Sequence, residues 1–454
     1  MRELHIRCDT PRHAAFEVLN QLDHAFSHRG DGLGAIRRLN VHQLMGSLWV
    51  RGTAAGWSDQ DRVLFHQICD GVVRFWHPLN WILDVMSHHP LDKLQPEVRT
   101  LTRMGLYQLY YLNRVPDYAA VDTTMKVAMD FNLTSPARSF IHGVLRRFQG
   151  QEESHRFPWP DSKSEESVMI KTGWPVWLLK YCETIYGVEN THAMAMASVS
   201  PPPMSVRVNL LCRSIDEYKL LLDGEKIEYK QPDPETLPEV LILKNYSGPV
   251  VNLPGFPDGC VYIQDVNSAW VSAVVNPQSQ ERILDFCAAP GSKTTHMAAK
   301  MMNQGEIVAY EVVHDRRQHL EENIERLRIA NITIPHTEPS VESWGLFDAV
   351  LVDAPCTGLG TVRKNPDILL KLSQTEFYRM HAEQVDILEQ ASAFVRPGGR
   401  LIYSTCSLSP EENQKTTQAF LECHPEEYRL AFEEQRLITA EQDGFYIAVL
   451  PKAE

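Results

Sequence analysis

Two cysteines stand in short polar motifs that each follow an apolar run. Cys356 lies in Asp353-Ala354-Pro355-Cys356-Thr357-Gly358, after Ala349-Val350-Leu351-Val352. Cys406 lies in Ser404-Thr405-Cys406-Ser407, after Leu401-Ile402-Tyr403. Both runs read as strands, so a thiol is expected at the carboxyl end of each, where open α/β sheets bind their ligands. A third run, Ile283-Leu284-Asp285-Phe286, feeds Cys287-Ala288-Ala289-Pro290-Gly291-Ser292-Lys293-Thr294, a tight turn opening a helix. Small residues there let backbone N–H groups approach a ligand, aided by the helix N-terminus. Glu311 follows the strand-like Ile307-Val308-Ala309-Tyr310, 20 residues after Gly291. An acid at that distance grips a ribose hydroxyl pair in Rossmann-like sheets. Alone, Glu311 would read as a solvated acid starting a helix.

This inventory suits methylation of cytosine at C5, a carbon that is a poor nucleophile. A thiolate that adds to C6 turns the ring into an enamine, and C5 can then attack a methyl donor. The C5 proton must leave before the thiolate is expelled, so a second group can assist release. An acid near N3 must stabilise the ring, and Asp353 lies three residues before Cys356. Lys293 is placed to favour a thiolate or to hold a carboxylate. A lone cysteine is ordinarily a small buried hydrophobe, which is the reading given to Cys69, Cys182, Cys212, Cys260 and Cys423. Cys287 lines the turn, which needs its backbone more than its thiol.

The elements that must position these residues follow from the pattern. A chain of 454 residues suggests two to four domains. Residues 1–150 read as all helical. Val98, Leu101, Gly105, Leu109 and Leu112 share one helix face, with Gly105 admitting a close neighbour, and Ile141, Val144, Leu145 and Phe148 share another. Residues 27–58 have Gly-rich ends and read as a loop or insertion. The polar stretch 150–167 reads as a linker, and 151–260 as linker plus a small α+β RNA-binding subdomain that includes a strand over residues 204–209. From 261 to 454, strands alternate with helices, the pattern of a doubly wound parallel sheet. A helix is expected over 314–328 and another over 376–395, closed by Pro397-Gly398-Gly399.

Composition narrows the classes. No run of 18 or more apolar residues occurs, so no membrane span is expected. The first ten residues are polar and carry acids, unlike a targeting peptide. Nine cysteines without a Cys-x-x-Cys pair argue against a zinc site or a disulfide framework, and free thiols point to the cytoplasm. The net charge of −14 is uneven: residues 1–150 carry +3 and the remainder −17. An acidic chain can still bind RNA through a local basic face, with salt-sensitive affinity.

Asp285-Phe286-Cys287-Ala288-Ala289-Pro290-Gly291, Asp353-Ala354-Pro355-Cys356 and Ser404-Thr405-Cys406-Ser407 closely resemble the motifs of the RNA 5-methylcytosine methyltransferases. Pro397-Gly398-Gly399 and Pro410-Glu411-Glu412-Asn413 fit the same pattern. Residues 105–109 and 141–146 resemble a NusB-like RNA-binding domain, and residues 202–209 with Gln264-Asp265 match the connecting region. The combination resembles the branch of the family that acts on 16S ribosomal RNA. The resemblance implies a NusB-like helical domain and a Rossmann-like catalytic domain, S-adenosylmethionine as methyl donor, and ribosomal RNA as substrate; a monomer without metal is expected. It implies Cys406 as nucleophile, Cys356 as the thiol that helps release product, Asp353 on the cytosine edge and Lys293 in support. It implies that the turn Cys287, Ala288, Ala289, Pro290, Gly291, Ser292 and Lys293 holds the methionine part of the donor, with Glu311 on the ribose. Asp353 borders that site too.

Three positions depart from the family pattern. Ser292 replaces a glycine, Glu311 replaces an aspartate, and His336-Thr337-Glu338-Pro339 replaces Gly-Asp-Gly, with Glu338 the match for the aspartate that brackets adenine. The target base must be flipped or unpaired to meet a thiol. Arg146 and Arg147 with Phe148, Arg207, and Arg363 after the Cys356 motif are the candidates for RNA contact; a solvated face is the alternative for Arg146 and Arg147. Two other readings fit parts of the chain: a ribosome-assembly factor that keeps the scaffold but binds the donor poorly, and the same chemistry on transfer RNA.

Overall fold

The computed structural model describes residues 10–27, 40–50, 56–87, 89–153, 156–162, 164–246 and 248–454. They form two compact units, one reaching to Val199 and including Asn365–Lys371, the other comprising Ser200–Lys364 and Leu372–Glu454.

The first unit is helical among its described residues. Its centre is the helix Pro96–Tyr111, buried from Val98 to Gln108 on every face. A buried helix still has to satisfy its polar groups, and here Arg99 and Arg103 converge on the buried Asp23 at 2.9 and 3.1 Å. Gly105 admits a close neighbour as expected: a Cβ there would lie 2.6 Å from the Leu145 side chain. Ile141, Val144, Leu145 and Phe148 all face the core. Part of the stretch read as a loop is the helix Val41–Val50. It seats Val41, Met45 and Leu48 in the core, an i, i+4, i+7 spacing that the Gly-rich flanks obscured; residues 28–39 and 51–55 lie outside the described residues. Within 150–167, Trp159 stacks on Tyr110 at 4.7 Å and Phe157 is buried, so aromatic packing holds this polar stretch.

The second unit begins with an antiparallel sheet of order β2-β3-β1-β4: β1 Met204–Val208, β2 Tyr229–Lys230, β3 Val240–Leu243 and β4 Val261–Ile263. The helix Ile215–Gly224, opened by a reciprocal Ser214–Glu217 cap, buries Tyr218 and Leu222 with Val206, Val208 and Leu241. Cys212 and Cys260, expected as unpaired thiols, are joined in a disulfide. Antiparallel pairing of β1 with β4 brings the residues after one strand beside those before the other, a long-range contact that spacing alone does not reveal.

The larger sheet has seven strands: β5 Arg282–Asp285, β6 Glu306–Ala309, β7 Ile332–Thr333, β8 Phe347–Asp353, β9 Val395–Thr405, β10 Phe432–Arg436 and β11 Phe445–Pro451. Their order is β10-β11-β9-β8-β5-β6-β7. β5 to β9 are parallel, while β10 and β11 run antiparallel, so the expected parallel sheet is mixed at one edge. Alternate residues feed two cores: Ile283, Ile307, Ala349 and Ile402 on one face, Leu284, Val308, Val350 and Leu401 on the other. Burial on both faces explains the near-continuous apolar runs. The helix expected over 376–395 spans Gln374–Ser392. Pro397-Gly398-Gly399 lies inside β9, not at the helix end, where the β8–β9 register shifts. A bulge supplies the same glycine signal as a helix stop.

Candidate active site

Four loops leave the carboxyl ends of four adjacent strands, in the order β9, β8, β5, β6. They carry Cys406, then Asp353 and Cys356, then the Cys287–Lys293 turn, then Glu311. The chain passes from β5 to β6 on one side and places β8 on the other. That makes β5/β8 the point where strand order reverses, the usual ligand crevice of such sheets.

Parallel pairing sets Asp353 beside Ser404, and the thiols of Cys356 and Cys406 come to 3.3 Å. Asp353 accepts from Lys293 Nζ at 2.7 Å and from Ser404 Oγ at 2.8 Å. Burial works against the Lys293 cation, yet Asp353 first and Cys406 next hold its pKa above the ordinary value. The Cys356 thiol is pushed well up by its contact with Cys406, by burial, and by the charge of Cys406, Glu412 and Asp353. Of the pair, Cys356 therefore keeps its proton. The backbone locks this corner: Gly360 N donates to Cys406 O at 2.8 Å, and a Cβ on Gly360 would sit 2.2 Å from Gly444 O.

In the turn, Gly291 takes a left-handed φ of 97° and caps the helix Ser292–Lys300. Ser292 is the first helical residue, a position any side chain tolerates, so replacing a glycine there strains nothing. The Ala289–Pro290 bond is cis. Arg316 donates to Ala289 O at 2.7 Å and Asn323 to Pro290 O at 3.0 Å. Cys287 is held protonated by burial and the neighbouring acids. Glu311 is buried and accepts from Val313 N at 3.0 Å. Its other oxygen lies 3.3 Å from Arg316 and accepts no hydrogen bond among the described residues. An orphaned buried carboxylate oxygen beyond β6 fits a ribose hydroxyl donor, so these residues suit a nucleoside-bearing methyl donor. Glu338 is exposed, with Tyr310 OH 3.5 Å from its carboxylate.

Two of the candidate RNA contacts lie elsewhere than expected. Arg207 is 1% exposed; it donates to Ser292 O at 2.8 Å and Thr295 Oγ1 at 3.0 Å, clamping the helix that follows the turn. Burial lowers its pKa to about 10. Arg363 is equally buried and donates to Thr439 O and Ala440 O. Both guanidiniums are spent on protein carbonyls and a hydroxyl, so neither is at the surface to meet a phosphate. Phe148 belongs to the helical core and cannot stack on a base. Arg146 and Arg147 are exposed on the helix Ser135–Glu153. Cys69 and Cys182 are buried as expected, whereas Cys423 is exposed.

Sequence reasoning assigned no role to two buried acids. Asp285 ends β5 under the turn, accepting from Thr294 Oγ1 at 2.7 Å. Burial, opposed by that hydrogen bond and reinforced by Asp353, pushes it up to about 7. Glu412 folds back between the two thiol loops. It stands in the quoted Pro410-Glu411-Glu412-Asn413 run, but nothing in that run says where its carboxylate goes.

A Rossmann-like sheet with a glycine turn opening a helix beside a buried carboxylate, and two thiols at neighbouring strand ends, fits a methyltransferase. The family model for the 16S rRNA methyltransferase RsmB/F matches residues 272–454, that of the NusB family residues 9–150, and that of the Methyltr_RsmF/B-like, ferredoxin-like domain residues 174–249. The probable ribosomal RNA small subunit methyltransferase B of Synechocystis is 32% identical, over 87% of this chain and 92% of the relative. The ribosomal RNA small subunit methyltransferase B of Klebsiella pneumoniae is 32% identical, over 87% and 91%. The crystal structure of PH0851, 24% identical, shares the fold with a TM-score of 0.73 over 96% of this chain and 98% of that one. The chain belongs to the ribosomal RNA small subunit methyltransferase B family. Among the described residues no helix is long and apolar enough to cross a membrane, and no metal-ligating cluster occurs.

Proposed function

We propose that the chain methylates C5 of a specific cytosine in 16S ribosomal RNA through a covalent bond between Cys406 and C6. The observation that carries the reading is the 3.3 Å contact of two thiols at adjacent strand ends, beside the Lys293–Asp353 pair. S-adenosylmethionine, held by the Cys287–Lys293 turn and Glu311, supplies the electrophilic methyl group. The target base enters flipped or unpaired, with exposed Arg146 and Arg147 as candidate phosphate contacts.

Each residue then has one task. The sulfur of Cys406, as thiolate, bonds to C6, moving the C5–C6 electron pair onto C5. Asp353, oriented by Ser404 and Lys293, accepts from the amino group on the cytosine edge, and the Lys293 cation beside it offsets the negative charge that the addition puts on the ring. C5 bonds to the methyl carbon as that carbon's bond to the sulfonium sulfur of the donor breaks, and the donor leaves as the neutral thioether S-adenosylhomocysteine. With Cys406 bonded to carbon, its negative charge no longer holds the Cys356 proton, so Cys356 can ionise to solvent and take the C5 proton. The C5–H electron pair restores the C5–C6 double bond, the S–C6 bond breaks, and Cys406 leaves as thiolate.

The test is methyl transfer from labelled S-adenosylmethionine to unmodified small-subunit ribosomal RNA, with Cys406→Ala beside it. Label on one cytosine C5, absent with the variant, is expected. Tight RNA binding without label would replace this reading with the assembly factor, and label only on transfer RNA would move the substrate.

A further inference from the structure

The carboxylate of Glu412 is wholly buried and touches neither the donor turn nor the Lys293–Asp353 pair, yet four donors surround it. Oε2 accepts from Thr357 N at 2.8 Å and Gln384 Nε2 at 3.1 Å. Oε1 accepts from Thr357 Oγ1 and Ser407 Oγ, both at 2.5 Å. Gln384 Nε2 also donates to Pro355 O at 2.9 Å. Pro355 and Thr357 flank Cys356, and Ser407 follows Cys406. The loops are gripped unequally. The Cys406 loop is tied a second time through Asn413, which accepts from Thr405 Oγ1 at 2.6 Å and donates to Ser407 O at 3.0 Å. On either side of Cys356, Pro355 O and Thr357 are held by the Glu412–Gln384 pair; the same loop also donates from Ala354 N to Ser404 O at 2.9 Å and places Thr357 Oγ1 3.4 Å from Ser407 Oγ. Burying a carboxylate is costly unless its bonds are made, and here those bonds span the two thiol loops. Burial raises its pKa and the hydroxyls and amides pull it back.

We propose that Glu412 is a positioning residue for the release step, fixing the Cys356 loop against the Cys406 loop through Thr357, Ser407 and Gln384. The inference rests on the two-thiol reading above. Glu412 acts through Cys356, not on RNA or donor. Glu412→Ala removes the carboxylate that holds Thr357 beside Cys356, while Cys406 stays tied by Asn413 and Gly360, so addition and methyl transfer proceed and product release slows. Glu412→Gln keeps the grip. Its oxygen can take the place of Oε2, and its amide can donate to the Thr357 and Ser407 hydroxyls, which then turn to accept.

The experiment follows the covalent protein–RNA adduct by denaturing gel in single turnover, with donor affinity as the check on folding. Cys356→Ala serves as the positive control and Cys406→Ala as the negative. Glu412→Ala is expected to accumulate the adduct, with release about 100-fold slower and donor affinity unchanged. Glu412→Gln should restore release to within about tenfold of wild type. A merely structural defect would lower adduct and donor binding together. Wild-type release by a folded Glu412→Ala, or loss of adduct formation in it, overturns the proposal. Should Glu412→Ala fail to fold, Thr357→Val decides: a partial build-up of adduct supports the proposal, and wild-type release overturns it. No adduct with Cys356→Ala would overturn the two-thiol reading, and this inference with it.

Discussion

Asp285 is buried to 1% exposure, and its pKa is pushed from 3.8 up to about 7. A carboxyl whose folded pKa is raised favours the folded state fully below the unfolded value. That contribution is lost as pH rises through the folded value. At about 1.4 kcal/mol per unit, the rise from 3.8 to about 7 sets a ceiling of about 4 kcal/mol lost by pH 8. At pH 5 about 1.6 kcal/mol of it has already gone, so roughly 2–3 kcal/mol is lost between pH 5 and pH 8. Asp285→Asn does not titrate. Its amide can keep an acceptor for Thr294, but it places an NH2 where Oδ1 has no hydrogen-bond partner. That orphan costs about 1–3 kcal/mol at every pH. The variant's absolute stability is therefore a poor test, and its pH dependence a good one. Urea unfolding at pH 5, 6, 7 and 8 gives both curves. Stability of Asp285→Asn relative to wild type should rise by roughly 2–3 kcal/mol across the series. Parallel curves would refute the reasoning and mean that Asp285 is ionised in the folded protein at pH 5.

Two further substitutions separate the donor site from the RNA surface. Gly291→Ala puts a Cβ at φ 97° and 2.7 Å from the Leu320 side chain. It should cost about 1–3 kcal/mol of stability and weaken donor binding; wild-type unfolding and titration curves would contradict the account of the turn. Arg207→Met removes the clamp on Ser292 O and Thr295. The KM for the donor should rise about tenfold, while the slope of RNA affinity against salt stays that of wild type. A slope lowered by about one unit would instead make Arg207 a phosphate contact.

The strand-end placement of the candidate residues was legible because a parallel strand buried on both faces is an unbroken apolar run, and its end is marked by abrupt polarity. Asp353, Cys356, Cys406, the Gly291 turn and Glu311 were all found that way. Burial of cations was not legible. Arg207 and Arg363 look like RNA-facing residues in sequence, because carbonyls from distant segments are what make their burial tolerable. Glu412 was invisible for the same reason: its four donor atoms belong to three residues distant in sequence or across a turn, Thr357, Gln384 and Ser407. β10 was missed because Phe-Glu-Glu-Gln-Arg is a polar edge strand with little alternation to read. The helix Val41–Val50 was missed because three core residues between Gly-rich flanks make a weak periodic signal.

The central claim is the division of labour between two touching thiols, and the covalent adduct tests it most directly. Each variant, Cys356→Ala and Cys406→Ala, would be incubated with unmodified small-subunit ribosomal RNA and S-adenosylmethionine, then run on a denaturing gel. The account requires a stable RNA–protein adduct with Cys356→Ala, because addition occurs and release fails, and none with Cys406→Ala. Adduct with Cys406→Ala would exchange the two roles. Full methylation by Cys356→Ala with no adduct would contradict the two-thiol mechanism.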